Sequence, residues 1–493
     1  MEIFGDPYSS RSRPVLSGLA GAVAAAHPLA VAAGQELLLA GGSAADAAIA
    51  AQAVLCVLAP DACGLGGDML ALVREPGATS AVAVNGAGRS PAAMTRAATD
   101  GADSITVPGV VDAWTVLSER WGRLPLACCL APAIDLARRG VRVTPMLAAT
   151  VRTQAMRLRA GGADDWALLH LRPGELFRQE ALAQWLAEIG RRGRAAFYLG
   201  DRAAAIAAAV RRLGGALSLE DLAAHETIVA DPLTAGFRGA VVAVQPPATQ
   251  GVLLAMALQA LERLGTLPSD RTDHAAIELT EAAFAHRSRA GEGAALMACD
   301  LPIDLERAQR LGSTRAYLHT AGVATADADG MVVSSLVSVF DDFGSCVYVP
   351  ECGVTLNNRA GGFTDGPNTA AAGKHPVHTL APAMVFLETG DVLGLATPGA
   401  DGQVQTLVQL LSALMDGLPL TTAIDRPRWR SQAGELLIEA DHSQAVILQG
   451  LGHQLRVLEP GDVRFGAVVC AGVSAGSPLA AADWRRETWA GVV

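Results

Sequence analysis

The sequence has no concentrated positive charge. Its 38 Lys and Arg residues, nearly all Arg, are spread along the chain against 49 acids, for a net charge of −11. No stretch can follow a nucleic-acid backbone, so nucleic acid is excluded as an expected partner. No run approaches the roughly 20 uninterrupted apolar residues of a membrane-spanning helix, so no membrane partner is expected either. The eight cysteines include no CxxC pair and show no metal-ligand spacing with histidine. Scattered, mostly buried thiols in a reducing compartment are expected, with no metal and no cofactor. The sequence also lacks an internal repeat, a long Pro/Gly/Ser linker, a Ser-His-Asp signature and a GxSxG elbow.

What is present is a chain of 493 residues, 51% apolar, enough for an extensive core and read as one interleaved domain. Arg11 and Arg13 precede VLSGLAGAVAAAHPLA, which superficially offers the parts of a secretory signal. Glu2 and Asp6, and the breaks at Ser17 and His27, weigh against that reading, and a cytoplasmic location is expected.

The first 319 residues read as helix-rich. HPLAVAAGQELLLAGGSAADAAIAAQAVLCVLAP gives two small-residue helices broken at Gly41-Gly42, with Ser43 capping the second and Pro60 ending it. Residues 69–87 form a strand pair turning at Pro76-Gly77. LPLACCLAPAIDLARRG, FRQEALAQWLAEIGRRG, GDRAAAIAAAVRRLGG and TQGVLLAMALQALERLG supply further helices with glycine stops. From Thr320 onward the texture becomes sheet-rich: hairpins are expected around Asp329-Gly330, Cys352-Gly353 and Thr389-Gly390, with one clear helix in VQTLVQLLSALMDG. By residue pattern alone, Thr320 reads as an ordinary entry into the first of these hairpins.

GGSAADAAIA, CGLGGDML, VPGVVDAW with WGRLP, PPATQGVLLAMALQALE and TLNNRAGGFT occur in an order that resembles the gamma-glutamyltranspeptidase-like family of N-terminal nucleophile (Ntn) hydrolases, over nearly the full length. The resemblance implies an α/β chain folded as a four-layer αββα sandwich. It also implies a precursor that cleaves itself between His319 and Thr320, leaving an α segment of residues 1–319 and a β segment of residues 320–493 as a heterodimer. The chemistry has its own logic. A threonine hydroxyl is a weak nucleophile at neutral pH, whereas a freed α-amine with a pKa near 8 can take its proton, so one residue supplies nucleophile and base.

Carried onto matching positions, the resemblance implies Thr320 as nucleophile, Ser338 as its supporting hydroxyl, and the backbone N–H groups of Gly399 and Ala400 as oxyanion donors. His378 and Thr379 fall where the family places two serines near the substrate carbonyl, and Phe340 where it carries a polar side chain. Asn357 and Asn358 read as turn residues. The transpeptidases proper grip the amino-acid head of their substrate with an arginine and an acid; the matching positions here are Ala87 and Gly362. A buried α-ammonium would then lack its counter-charge, so a small acyl group with a carboxylate is expected instead, with Phe340 and Phe343 beside it and Arg89 as its clamp. The pattern is nearer the acylase and amidohydrolase relatives, including oxamate amidohydrolases, cephalosporin-acylase-like proteins and homologues that cleave an activated C–C bond in alkylproline biosynthesis. Two alternatives stand: a gamma-glutamyl hydrolase or transpeptidase, and a non-catalytic paralogue that never matures, the latter because His319 and Ala321-Gly322 depart from the family's usual residues.

Overall fold

The computed structural model describes residues 13–310 and 320–493, so the His319 side of the expected cleavage point lies outside the described residues. Fourteen strands build its two main sheets. In chain order they are β1 (Leu16–Ser17), β2 (Gly21–Ala25), β3 (Asp68–Arg74), β4 (Val82–Asn85), β5 (Ile228–Ala230), β6 (Leu233–Phe237), β7 (Ala240–Val244), β8 (Ala321–Asp327), β9 (Val332–Ser338), β10 (Ala383–Phe386), β11 (Val392–Ala396), β12 (Val469–Ser474), β13 (Ser477–Ala482) and β14 (Trp489–Val492). One sheet runs β14-β2-β8-β9-β3-β4-β5 and the other β1-β13-β12-β11-β10-β7-β6, antiparallel throughout.

Helices α1 (Pro28–Leu39) and α2 (Ala44–Leu58) cover the outside of the first sheet, α3 (Leu126–Arg139) packs behind α2, and α4 (Glu180–Arg192) behind α3. Helices α5 (Gly251–Leu264), α6 (Ser269–Phe284) and α7 (Gly402–Met415) cover the outside of the second. The result is the αββα sandwich. The layer between the sheets is made of small residues: of the nineteen buried apolar side chains there among the described residues, eleven are alanine. Facing alanines let the sheets approach closely, and Gly322 lies at one of the tightest points, where a Cβ would sit 3.1 Å from Val469 and 3.3 Å from Ala396.

Local chemistry places the elements as the sequence suggests. Gly41, with φ +86°, breaks α1 from α2, and Ser43 and Asp46 form a reciprocal capping box at the start of α2. The run after Arg13 contains β1 and β2 and leads into α1; β2 is a fully buried strand between β8 and β14. Seven strands come from before residue 311, so the helix-rich reading of that part understated its share of both sheets. Its strands are short and rich in small residues, which weakens their alternation. Each sheet mixes strands from before and after Thr320, and β8 and β9 lie between β2 and β3.

Candidate active site

Register brings three polar side chains into a row. Ala321 pairs with Val337 and Ser338 pairs with Asp68, so Thr320, one residue before β8, stands opposite Ser338. Strand side chains alternate between faces. Ala321, Val337 and Met69 point to the helix layer, while Ala324, Leu336 and Leu70 point between the sheets. Thr320, Ser338 and Asp68 therefore share the inter-sheet face at the end of the sandwich. The Thr320 Oγ1 donates to Ser338 Oγ at 3.3 Å, and that oxygen also accepts from the Phe340 N–H at 3.0 Å. Thr320 is 7% exposed and borders a cavity of about 120 Å³ whose walls include Ala26, Leu58, Arg142, Met146 and Pro398.

Beyond Ser338 the row ends in a buried charged group. The Asp68 Oδ2 accepts from Arg359 Nε at 2.9 Å and from His378 Nε2 at 3.1 Å. Arg359 also donates to Thr379 Oγ1 at 3.2 Å, and its guanidinium lies 4.3 Å over the Phe340 ring. Burial opposes ionisation of Asp68, but the His378 hydrogen bond and the Arg359 charge outweigh it and hold the carboxyl below its ordinary value. His378 accepts from the Leu380 N–H through Nδ1, at 3.1 Å, which leaves its proton on Nε2, facing Asp68. Burial and the neighbouring Arg359 charge push its pKa down to about 4. At neutral pH the group is a carboxylate, a guanidinium and a neutral imidazole, so the Arg359 charge is balanced.

The turn before α7 supplies backbone donors. The Gly399 carbonyl accepts from Gly402 N–H at 2.8 Å and from Arg430 Nη2 at 3.1 Å; the Ala400 carbonyl accepts from Gln250 Nε2 at 2.8 Å and from Gln403 N–H at 3.0 Å. A trans peptide opposes its C=O and N–H, so fixing the Gly399 carbonyl on the helix side aims the Ala400 N–H the other way. Ala400 (φ +48°) and Phe340 (φ +87°) occupy the left-handed region, a conformation that costs of order 1–3 kcal/mol for such residues and collects at functional sites.

Comparison with known proteins agrees with this architecture. The family model described as Gamma-glutamyltranspeptidase matches residues 30–493. The chain belongs to the gamma-glutamyltranspeptidase family. It is 33% identical to the glutathione hydrolase-like YwrD proenzyme of Bacillus subtilis (strain 168) over 450 residues, covering 83% of this chain and 84% of that one. Identity to the oxamate amidohydrolase proenzyme of Klebsiella pneumoniae is 31% over 484 residues, covering 89% and 92%. The crystal structure of cephalosporin acylase from Bacillus halodurans superposes with a TM-score of 0.88 at 29% identity, covering 100% and 99% of the two chains. The family is one of Ntn hydrolases, and this member is a hydrolase of that kind.

Within this gamma-glutamyltranspeptidase-family fold, Thr320, Ser338, Phe340, His378 and Thr379 come together, linked through Asp68 and Arg359. Arg89 does not join them through its hydrogen bonds: it is exposed, and its Nη1 donates to the Gly373 carbonyl at 3.0 Å. Phe343 packs in a separate peripheral core, edge-on to Trp166 at 5.7 Å, so it does not narrow the site as expected. Asn357 is fully buried and ties Gly66, Thr106 and Arg359 backbone groups together. Asp68 and Arg359 are candidate site residues that reading by motif missed. Their signal was a lone charged residue inside each of two otherwise uncharged motifs, CGLGGDML and TLNNRAGGFT. Among the described residues, no helix is long and apolar enough to cross a membrane.

Proposed function

We propose that Thr320 is the nucleophile of a self-maturing hydrolase that removes a small acyl group from an amide. The observation that carries this reading is the position of Thr320 at the head of β8, its hydroxyl bonded to Ser338 and facing between the sheets. In maturation the Thr320 Oγ attacks the His319 carbonyl carbon, the peptide N–C bond breaks to leave an ester, and water releases the His319 carboxylate and a free threonine α-amine. Residues 1–319 and 320–493 then remain associated, because each sheet interleaves strands of both.

In turnover the α-amine takes the hydroxyl proton as Oγ adds to the substrate carbonyl. The Gly399 and Ala400 N–H groups receive the oxyanion. The ammonium returns a proton to the departing amine, a threonyl ester is left, and water, deprotonated by the same amine, frees the acid. The same acyl-enzyme serves an activated C–C bond when the leaving carbon is a stabilised carbanion, the alkylproline-type variant of this chemistry.

A gamma-glutamyl head fits poorly. Ala87 is buried in the inter-sheet layer, and a Cβ at Gly362 would lie 3.0 Å from the Val377 carbonyl, so neither position offers the ionic grip a buried amino-acid head needs. Arg359 and Thr379, bonded to each other beside Asp68 and Phe340, suit a compact oxygen-rich acyl group such as an oxalyl or short dicarboxylic half-amide. The Klebsiella relative's name, oxamate amidohydrolase, falls in that class. The test is a substrate panel: short carboxylated amides should be hydrolysed well and gamma-glutamyl-p-nitroanilide poorly, whereas efficient gamma-glutamyl transfer to glycylglycine would overturn the assignment of the acyl group.

A further inference from the structure

Two histidines and a glutamate outside the chemistry above converge on one face of α6. His274 and Glu278 are four residues apart on that helix, hence on the same side, and His453 reaches them from the turn before residues 455–458. All three are buried, at 0%, 1% and 5% exposure. One ligand atom from each lies within 4.8 Å of the others.

The hydrogen bonds around them fix which atoms are presented. His274 Nε2 lies 2.8 Å from the Asp304 carbonyl. A carbonyl only accepts, so Nε2 carries the proton and Nδ1 offers its lone pair toward His453 Nε2, 2.8 Å away. An imidazole oriented through its far N–H by a backbone carbonyl is the usual support of a metal ligand. The Glu278 Oε2 accepts from the Gln309 N–H at 3.0 Å, while Oε1, fully buried, has no hydrogen-bond partner among the described residues. The charges around the group are Glu281, Asp304 and Glu306 against Arg271 and Arg310. Arg271 already pairs with Asp270 and Glu306.

We propose that His274 Nδ1, Glu278 Oε1 and His453 Nε2 bind one divalent cation of the zinc type, with water in the fourth position. Two imidazole nitrogens and a carboxylate oxygen are the donor set that suits zinc, and softer or harder ions less well. Tetrahedral zinc with bonds of about 2.0–2.1 Å holds two nitrogens about 3.3 Å apart, so the rings must separate by roughly half an ångström. His453, on a turn, gives way rather than His274 on the helix. His453 exchanges its Nε2–H for an Nδ1–H and stays neutral. His274 and Glu278 precede Thr320 and His453 follows it, so after cleavage the ion would join the two segments. That consequence rests on the proposed maturation; the site does not.

The test titrates chelator-stripped full-length protein with Zn²⁺ and with Co²⁺, whose visible spectrum reports tetrahedral ligation. Wild type and Thr320→Ala, cleaved or not, should each bind one equivalent, and Glu278→Gln and His453→Asn should bind about 100-fold more weakly or worse, since losing even a supporting partner costs 10–100-fold. Zinc at 100 times its Kd should raise the folding equilibrium constant of wild type about 100-fold. Wild type that takes up no stoichiometric Zn²⁺ or Co²⁺ would overturn the site whether or not the variants fold, as would uptake that survives in both variants.

Discussion

Replacing Asp68 with Asn removes one negative charge from between a guanidinium and an imidazole while leaving the side-chain volume nearly unchanged. Asp68 and Arg359 are each 0% exposed and His378 is 1% exposed, so solvent cannot compensate the Arg359 charge left behind. Breaking a buried pair by removing one partner costs about 3–5 kcal/mol. Removing both charges leaves no stranded ion, so Asp68→Asn combined with Arg359→Met should recover much of that loss. Stability is read by denaturant unfolding in a Thr320→Ala background, so that every variant is compared as one uncut chain. The expected double-mutant cycle shows a coupling of at least 2 kcal/mol, in the range contacting residues reach. A single variant within about 0.5 kcal/mol of its parent, the range of surface changes, or strictly additive losses, would refute the view that this carboxylate is the charge anchor of the site.

Four further outcomes are expected. Ser338→Ala removes the acceptor shared by the Thr320 hydroxyl and the Phe340 N–H; a lost hydrogen bond is worth about 0.5–1.5 kcal/mol, so steady-state kinetics should show kcat/KM roughly 2- to 13-fold lower. His378 is held at about 4 when folded against an ordinary 6.5, so the unfolded chain binds more protons between those values. Its contribution is complete above about pH 6.5 and is lost as pH falls toward 4, at about 1.4 kcal/mol per pH unit; His378→Gln should flatten that slope in pH-dependent unfolding by one proton. Gly322→Val should force the two sheets apart, costing about 1–3 kcal/mol or more, and should be seen as a lowered unfolding midpoint with lost activity. Arg89→Gln should leave kcat/KM within about twofold, as for a solvated charge, and a tenfold loss would restore Arg89 as the anion clamp.

The fold was legible where short-range chemistry decides it. The Ser43 cap, the Gly41 break and the Asp329-Gly330 turn are read from neighbours in the chain, and β8 and β9 follow from them. Strand β2 was not legible, because GAVAA carries no alternation and is buried on both faces; only its place between β8 and β14 makes it a strand. The same limit applies to the site. Thr320 and Ser338 could be paired because a hairpin sets their register. Asp68 reaches Ser338 only through pairing between distant strands, and Arg359 and His378 reach Asp68 from two further loops, so no local pattern announces the triad. Arg89 and Phe343 were picked by type; in the fold Arg89 is exposed and donates to the Gly373 carbonyl, and Phe343 packs in a peripheral core. His274, Glu278 and His453 show the reverse case: a four-residue spacing on α6 is too common to signal a site until a third residue, 175 positions beyond Glu278, is folded against it.

The central claim is that Thr320 becomes a free N-terminus and carries the acyl group. Denaturing intact-mass measurement of purified wild type, alone and after brief exposure to a slowly hydrolysed acyl amide, tests it directly. The account predicts two fragments that part between His319 and Thr320, the acyl mass appearing only on the fragment beginning with Thr320, and a Thr320→Ala protein that stays whole and unmodified. A wild type that remains one chain while hydrolysing substrate, or an acyl group found on any other residue, would contradict it.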